Sequence, residues 1–134
     1  MDFPAPPFRL PEANVQAEFY HWCRLLGCNC VLEMRTPAGR IDVAILDDQS
    51  TRLLCIVECK REGRRHGISE TCQIRRYKTI GVPVFGLDRR DKAEKLVRQI
   101  LRDYVTNTQY DGISIKQVRS MAKVPRSRKN RVQA

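Results

Sequence analysis

The sequence predicts an α/β protein with a mixed central sheet flanked by helices. Three observations predict it. Residues 12–26 repeat apolar side chains at helical spacing; residues 29–60 hold three strand-like runs separated by short polar turns; a second helical stretch parts the third run from a fourth. Strands joined by short turns pair antiparallel, whereas a helix between two strands implies a crossover and a parallel neighbour.

Residues 1–11 carry four prolines and read as an extended leader. Val15, Phe19, Trp22, Leu25 and Leu26 recur at three- and four-residue steps, an amphipathic helix that Gly27 can stop. Asn29 to Arg35 is a short strand and Thr36-Pro37-Ala38-Gly39 a turn. Arg40 to Leu46 is an apolar strand interrupted by Asp42, and Asp47 to Ser50 is a hairpin loop. Leu53-Leu54-Cys55-Ile56-Val57 then runs into Glu58-Cys59-Lys60. Side chains alternate along a strand, so Glu58 and Lys60 point one way and Val57 and Cys59 the other. Arg61 to Gly67 is a polar, basic loop, and Ser69 is a candidate cap for a helix through Ile80. Val82 to Leu87 forms the next strand. Asp88 is placed to cap a last long helix, from Arg89 to about Val105, with its stripe of Ala93, Leu96, Val97, Ile100, Leu101, Tyr104 and Val105. Ile113 to Met121 suits a short helix. The expected organisation is a leader at 1–11, one domain at 12–111 and a basic tail at 112–134.

Composition narrows the function. With 25 basic and 15 acidic residues the chain carries a formal charge of +10, which favours a polyanionic partner. Arginine outnumbers lysine and suits bidentate phosphate contacts. No apolar run is long enough to span a membrane. The first residues lack the basic-then-apolar order of a secretory signal. A cytoplasmic setting with six reduced cysteines is therefore expected.

The chemistry concentrates on two strands. Asp42 breaks an apolar run, and Glu58 follows sixteen positions later on the neighbouring strand. A regular hairpin brings them face to face. Two close carboxylates repel each other and want a divalent cation between them. Oxygen donors select hard ions such as Mg²⁺ or Mn²⁺. A lysine beside such an ion can orient a water for attack on a phosphodiester.

Asp42, a gap of fifteen residues and Glu58-Cys59-Lys60 together resemble the PD-(D/E)xK nuclease superfamily. The order helix, three strands, helix, strand resembles the αβββαβ core of restriction-endonuclease-like folds. Gln73-Ile74-Arg75-Arg76-Tyr77 is similar to the Gln-x-x-x-Tyr element of exonuclease-type branches. Met34 to Arg40 is similar to the turn before the aspartate in archaeal Holliday-junction resolvases and VRR-type nucleases. Ile41 stands where the name-giving pattern has proline. The resemblance covers residues 12–105. It implies that Asp42, Glu58 and the backbone carbonyl of Cys59 hold the metal, with Glu18 approaching from the first helix. Lys60 activates the water, and Gln73 and Tyr77, one helical turn apart, orient Lys60 or a phosphate.

The function expected on this basis is Mg²⁺- or Mn²⁺-dependent DNA endonuclease activity, selective for DNA structure (duplex, branches or ends) rather than base sequence. The alternatives are a non-catalytic DNA-binding module on the same fold, an exonuclease, or an RNA-directed nuclease. Arg40, Arg61, Arg64, Arg65, Arg75 and Arg76 would form a basic rim that grips phosphates. Lys123, Arg126, Arg128, Lys129 and Arg131 would add sequence-independent affinity. A homodimer fits symmetric cutting of two strands, and the small size and basic tail fit a phage or mobile-element nuclease. His66 reads as a solvated loop histidine, His21 follows Glu18 by three residues with a role near the metal as its minor reading, and the cysteines read as buried apolar residues.

Overall fold

The third strand is the axis of the molecule: from Leu53 to Cys59 every residue is buried. The structure, a computed structural model, describes residues 12–60 and 72–122, and the side chains within them other than those of residues 12, 13, 72 and 73. In chain order the elements are α1 (Glu12–Leu26), β1 (Cys30–Thr36), β2 (Gly39–Leu46), β3 (Arg52–Cys59), α2 (Cys72–Lys78), β4 (Val84–Leu87), α3 (Ala93–Ile100), β5 (Ile113–Ser114) and α4 (Ile115–Arg119). A 3₁₀ turn at Arg90–Lys92 leads into α3, and a wider π turn at Leu101–Val105 follows it.

The fold is α/β and the sheet is mixed, with strand order β1-β2-β3-β4. The first two pairings are antiparallel, and β4 lies parallel to β3 after the α2 crossover. The two-residue β5 pairs with the start of β3 on the same edge. One face is covered by α1 and α3: Val15, Phe19 and Cys23 pack with Val97 and Ile100 over Val43, Ile45, Cys55 and Val57. The other is covered by α2 and α4: Tyr77, Ile80 and Val118 pack over Met34, Ile41, Ala44 and Ile56. β3 is buried because it has a neighbour on each edge and helices on each face, which is why it reads as a continuous apolar run.

Local sequence explains the turns. Gly27, at φ 77°, ends α1 in the left-handed conformation, and the Cys28 amide turns back to the Cys23 carbonyl at 2.8 Å. Asp47 takes the amides of Thr51 and Arg52 on one carboxylate oxygen, at 2.8 and 3.0 Å, and so closes the β2–β3 loop. The register slips once, from Ile45↔Cys55 to Leu46↔Leu53, leaving Leu54 as a bulged residue. Tyr110 donates its hydroxyl to the Leu54 carbonyl at 2.7 Å.

Two expectations need correction. Asp88 does not cap the last helix: the 3₁₀ turn starts at Arg90, its cap position is Arg89, and no side chain bonds the cap. The tail does not begin at residue 112. Ile113 and Leu53 pair, and Val118 is buried, so the chain stays with the body through α4. The helix expected over 113–121 is the five-residue α4, capped by the Ser114 hydroxyl, which accepts from the Gln117 amide.

Candidate active site

Asp42 sits at a break in β2. Pairing with β1 runs through Leu32↔Val43 and Met34↔Ile41, passing over Glu33 and Asp42. Pairing with β3 ends at Val43↔Val57, so the next step in register sets Asp42 against Glu58. Beyond, Glu58 pairs with Gly86 of β4. Three acids and a glycine thus stand at one level across four strands. The backbone records the break twice. Glu33 takes a positive φ of 59°. Ile41 and Val43, which strict alternation would put on one face, pack into opposite cores.

The missing ladder bonds are replaced by side chains. Asp42 Oδ2 accepts the Cys59 amide at 2.8 Å, fixing the carboxylate against the end of β3. The Asp42 carbonyl accepts from Gln16 Nε2 of α1 at 2.8 Å, and the same amide donates to Glu33 Oε2 at 2.9 Å. Glu33 in turn pairs with Arg40 at 3.1 Å, both half exposed. Gln16 and Glu33 were not legible as site neighbours, since neither residue type stands out in the sequence.

Glu58 is the one buried charged side chain among the described residues, 2% exposed. Its Oε2 lies 3.4 Å from Lys60 Nζ, while Oε1 is buried without a hydrogen-bond partner. Burial, and then the Asp42 charge beside it, push the Glu58 carboxyl up to about 8; Lys60 offsets only part of this. Lys60 is itself mostly buried, and its amide donates to the Leu87 carbonyl at 2.9 Å, so the end of β4 holds it in place. Asp42, Glu58 and Lys60 therefore converge at one end of the sheet.

The other sequence candidates are distributed differently. Glu18 is partly buried on α1 and accepts from Trp22 Nε1 at 3.0 Å. Tyr77 is fully buried and donates its hydroxyl to the Arg40 carbonyl, while Arg76 Nε donates to the Ala38 carbonyl at 3.2 Å. Both clamp the β1–β2 turn from α2. Gly39 in that turn, at φ 130°, leaves the Tyr77 hydroxyl room to approach. Arg75 is exposed on α2, and Arg40 is exposed beside Glu33. The side chain of Gln73 lies outside the described residues, as do Arg61, Arg64, Arg65, His66, Lys123, Arg126, Arg128, Lys129 and Arg131. His21 is exposed, with its ring edge-on to Trp22.

Among the described residues, no three or more His, Cys, Asp or Glu side chains are grouped to hold a metal ion. Nor is any described helix long and apolar enough to cross a membrane. No protein-family model, curated protein or solved structure matches the chain.

Proposed function

We propose that the protein is a metal-dependent nuclease of PD-(D/E)xK type that hydrolyses phosphodiester bonds in DNA, on a restriction-endonuclease-like core. One observation carries this reading. A buried carboxylate, Glu58, with an unpartnered oxygen stands beside Asp42 and 3.4 Å from a mostly buried lysine. A buried carboxylate that serves only structure is normally satisfied on both oxygens. An orphaned oxygen next to a second acid is suited to an ion.

The donor set fits a hard divalent cation. Asp42, Glu58 and the Cys59 carbonyl would hold Mg²⁺ or Mn²⁺. A pair of carboxylates suffices, because Mg²⁺ keeps several waters and completes its shell with substrate phosphate. When bound, such an ion polarises the phosphate and acidifies a water. The chain does the rest. The Cys59 amide fixes the Asp42 carboxylate, so that oxygen keeps its direction. Lys60 would orient the attacking water and donate to the phosphate oxygen that gains charge. Gln16 holds the Asp42 backbone where the ladder is broken. The excess of 25 basic over 15 acidic residues supports a nucleic-acid substrate.

The test is a panel of end-labelled DNAs (duplex, flap, four-way junction and single strand) incubated with Mg²⁺, Mn²⁺ or EDTA. Cleavage with either ion, lost in EDTA and reduced by about a thousandfold or more in Asp42→Asn and Lys60→Ala, is the expected result. DNA binding by a folded protein that cuts none of these substrates would favour the non-catalytic module.

A further inference from the structure

We propose that Arg35 joins Arg40 in a phosphate clamp at the β1–β2 turn, where the two guanidinium groups share one backbone phosphate of the DNA beside Asp42; the clamp rests on the nuclease reading above. The two arginines are register partners, one step in from the closing pair Thr36↔Gly39. Residues directly opposite in an antiparallel pair share a face, with Cβ atoms about 5 Å apart. Both side chains are exposed. Like charges set opposite each other weaken a sheet, so the stability of the hairpin does not call for this pair. Glu33 relieves it only in part. One Glu33 oxygen pairs with Arg40 at 3.1 Å, and the other accepts from Gln16 at 2.9 Å. Among the described residues, Arg35 makes no ion pair. Two guanidinium groups and one carboxylate leave a single positive charge, which one phosphodiester matches.

The turn that carries the pair is held from both sides. The Thr36 hydroxyl accepts the Ala38 amide at 3.0 Å and donates to the Gly39 carbonyl at 2.8 Å. From α2, Arg76 Nε donates to the Ala38 carbonyl and the Tyr77 hydroxyl to that of Arg40 itself. A site fixed in this way gives up little freedom when a ligand arrives. Each guanidinium offers a planar fork of donors that suits phosphate oxygens. The position is as telling as the chemistry. Arg40 stands two residues before Asp42, about 7 Å along β2. A chain of contacts joins them: Arg40 to Glu33, Glu33 to Gln16, and Gln16 to the Asp42 carbonyl. The clamp therefore holds a phosphate next to the one attacked, and fixes where the nucleic acid enters the site relative to the carboxylates.

The experiment measures binding of the full chain to a fluorescein-labelled duplex by anisotropy, in EDTA, between 50 and about 200 mM salt. The proteins are the parent, Arg35→Ala, Arg40→Ala, the double variant, and Arg98→Ala, which removes an exposed arginine from α3. Arg35→Ala is the decisive variant, because it leaves the Arg40–Glu33 pair intact. It should lower affinity about tenfold, the worth of a hydrogen bond to a charged group, while circular dichroism and melting stay those of the parent. Arg98→Ala should bind as the parent does. The double variant should flatten the slope of log affinity against log salt by about 0.9, one phosphate in all. A loss of about 1.8 would mean two separate contacts and would overturn the clamp. So would parental affinity in Arg35→Ala. If the parent cuts no DNA while Arg35→Ala still weakens binding, the clamp stands and the nuclease reading fails. A parent that binds no DNA overturns both.

Discussion

Glu58 is held where an ionised carboxylate is least favoured, and this gives the protein a pH signature. Folding raises its carboxyl from 4.5 to about 8, so the cation-free fold binds a proton that the unfolded chain releases. That contribution is complete below about 4.5 and is lost as pH climbs through about 8. Across the interval, stability should fall by up to about 1.4 kcal/mol per pH unit. Melting curves in EDTA from pH 5 to about pH 8.5 should show this decline, and Glu58→Gln, which does not titrate, should flatten it. Identical slopes for the two proteins would contradict the assignment. Tyr77 gives a second prediction. Its hydroxyl satisfies the Arg40 carbonyl, so Tyr77→Phe should cost about 1–3 kcal/mol. Urea titration should show a lower midpoint with an unchanged slope. A metal-dependent activity that survives this change would mark Tyr77 as a clamp on the β1–β2 turn rather than a group at the phosphate.

At the scale of elements, the weakest-looking strand is tightly fitted. Gly112 precedes β5 at φ 65°, and a Cβ there would stand 2.1 Å from the Leu53 carbonyl oxygen. Gly112→Ala should therefore unpair β5 from β3 and loosen α4, at a cost of at least about 2 kcal/mol. Hydrogen exchange should locate the loss at the Ile115 amide, which donates to the Thr51 carbonyl. Protection at Ile115 equal to that of the parent would show that the strand tolerates the side chain. The long elements were legible because period and burial mostly agree: of the expected α1 stripe Val15 and Phe19 are buried and Trp22 and Leu26 pack on the same core, while Leu25, in the last turn, is exposed instead. Strand β5 was not legible, since two residues carry no period and their partner lies about sixty positions back. The short loop made β2 and β3 legible as neighbours, but not their register: a hairpin carried on regularly from Leu46↔Leu53 would set Asp42 against Val57, and the bulge at Leu54 brings Asp42 level with Glu58. Nor was the break that shapes the site legible. Nothing in the identity of Glu33 announces a left-handed backbone, and Gln16 looks like any polar helix residue. Tyr77 was correctly placed on α2, but periodicity does not say which carbonyl a hydroxyl will reach.

For the whole molecule, charge is carried on top of the fold. Acids end at Asp111, and five basic residues fall within 123–134, past the last described helix. A chain ending at Ala122 keeps buried Val118 and should melt within about 2 °C of the parent. On the proposed reading its DNA affinity should nevertheless fall, and the slope of log affinity against log salt should flatten by about 0.9 for each phosphate the tail no longer neutralises. Titrations between 50 and about 200 mM salt measure this; an unchanged slope would remove the tail from the binding surface. The bent backbone at Glu33 has another consequence. β1 is the outer strand of the sheet beside β2, with Val31 exposed on it. An outer strand that runs flat can recruit a strand from another molecule and seed aggregation. A charged residue held left-handed in the middle of β1 interrupts that row of amides and carbonyls. The distortion that opens the sheet at Asp42 thus also blunts its rim, helping the protein stay dispersed when concentrated.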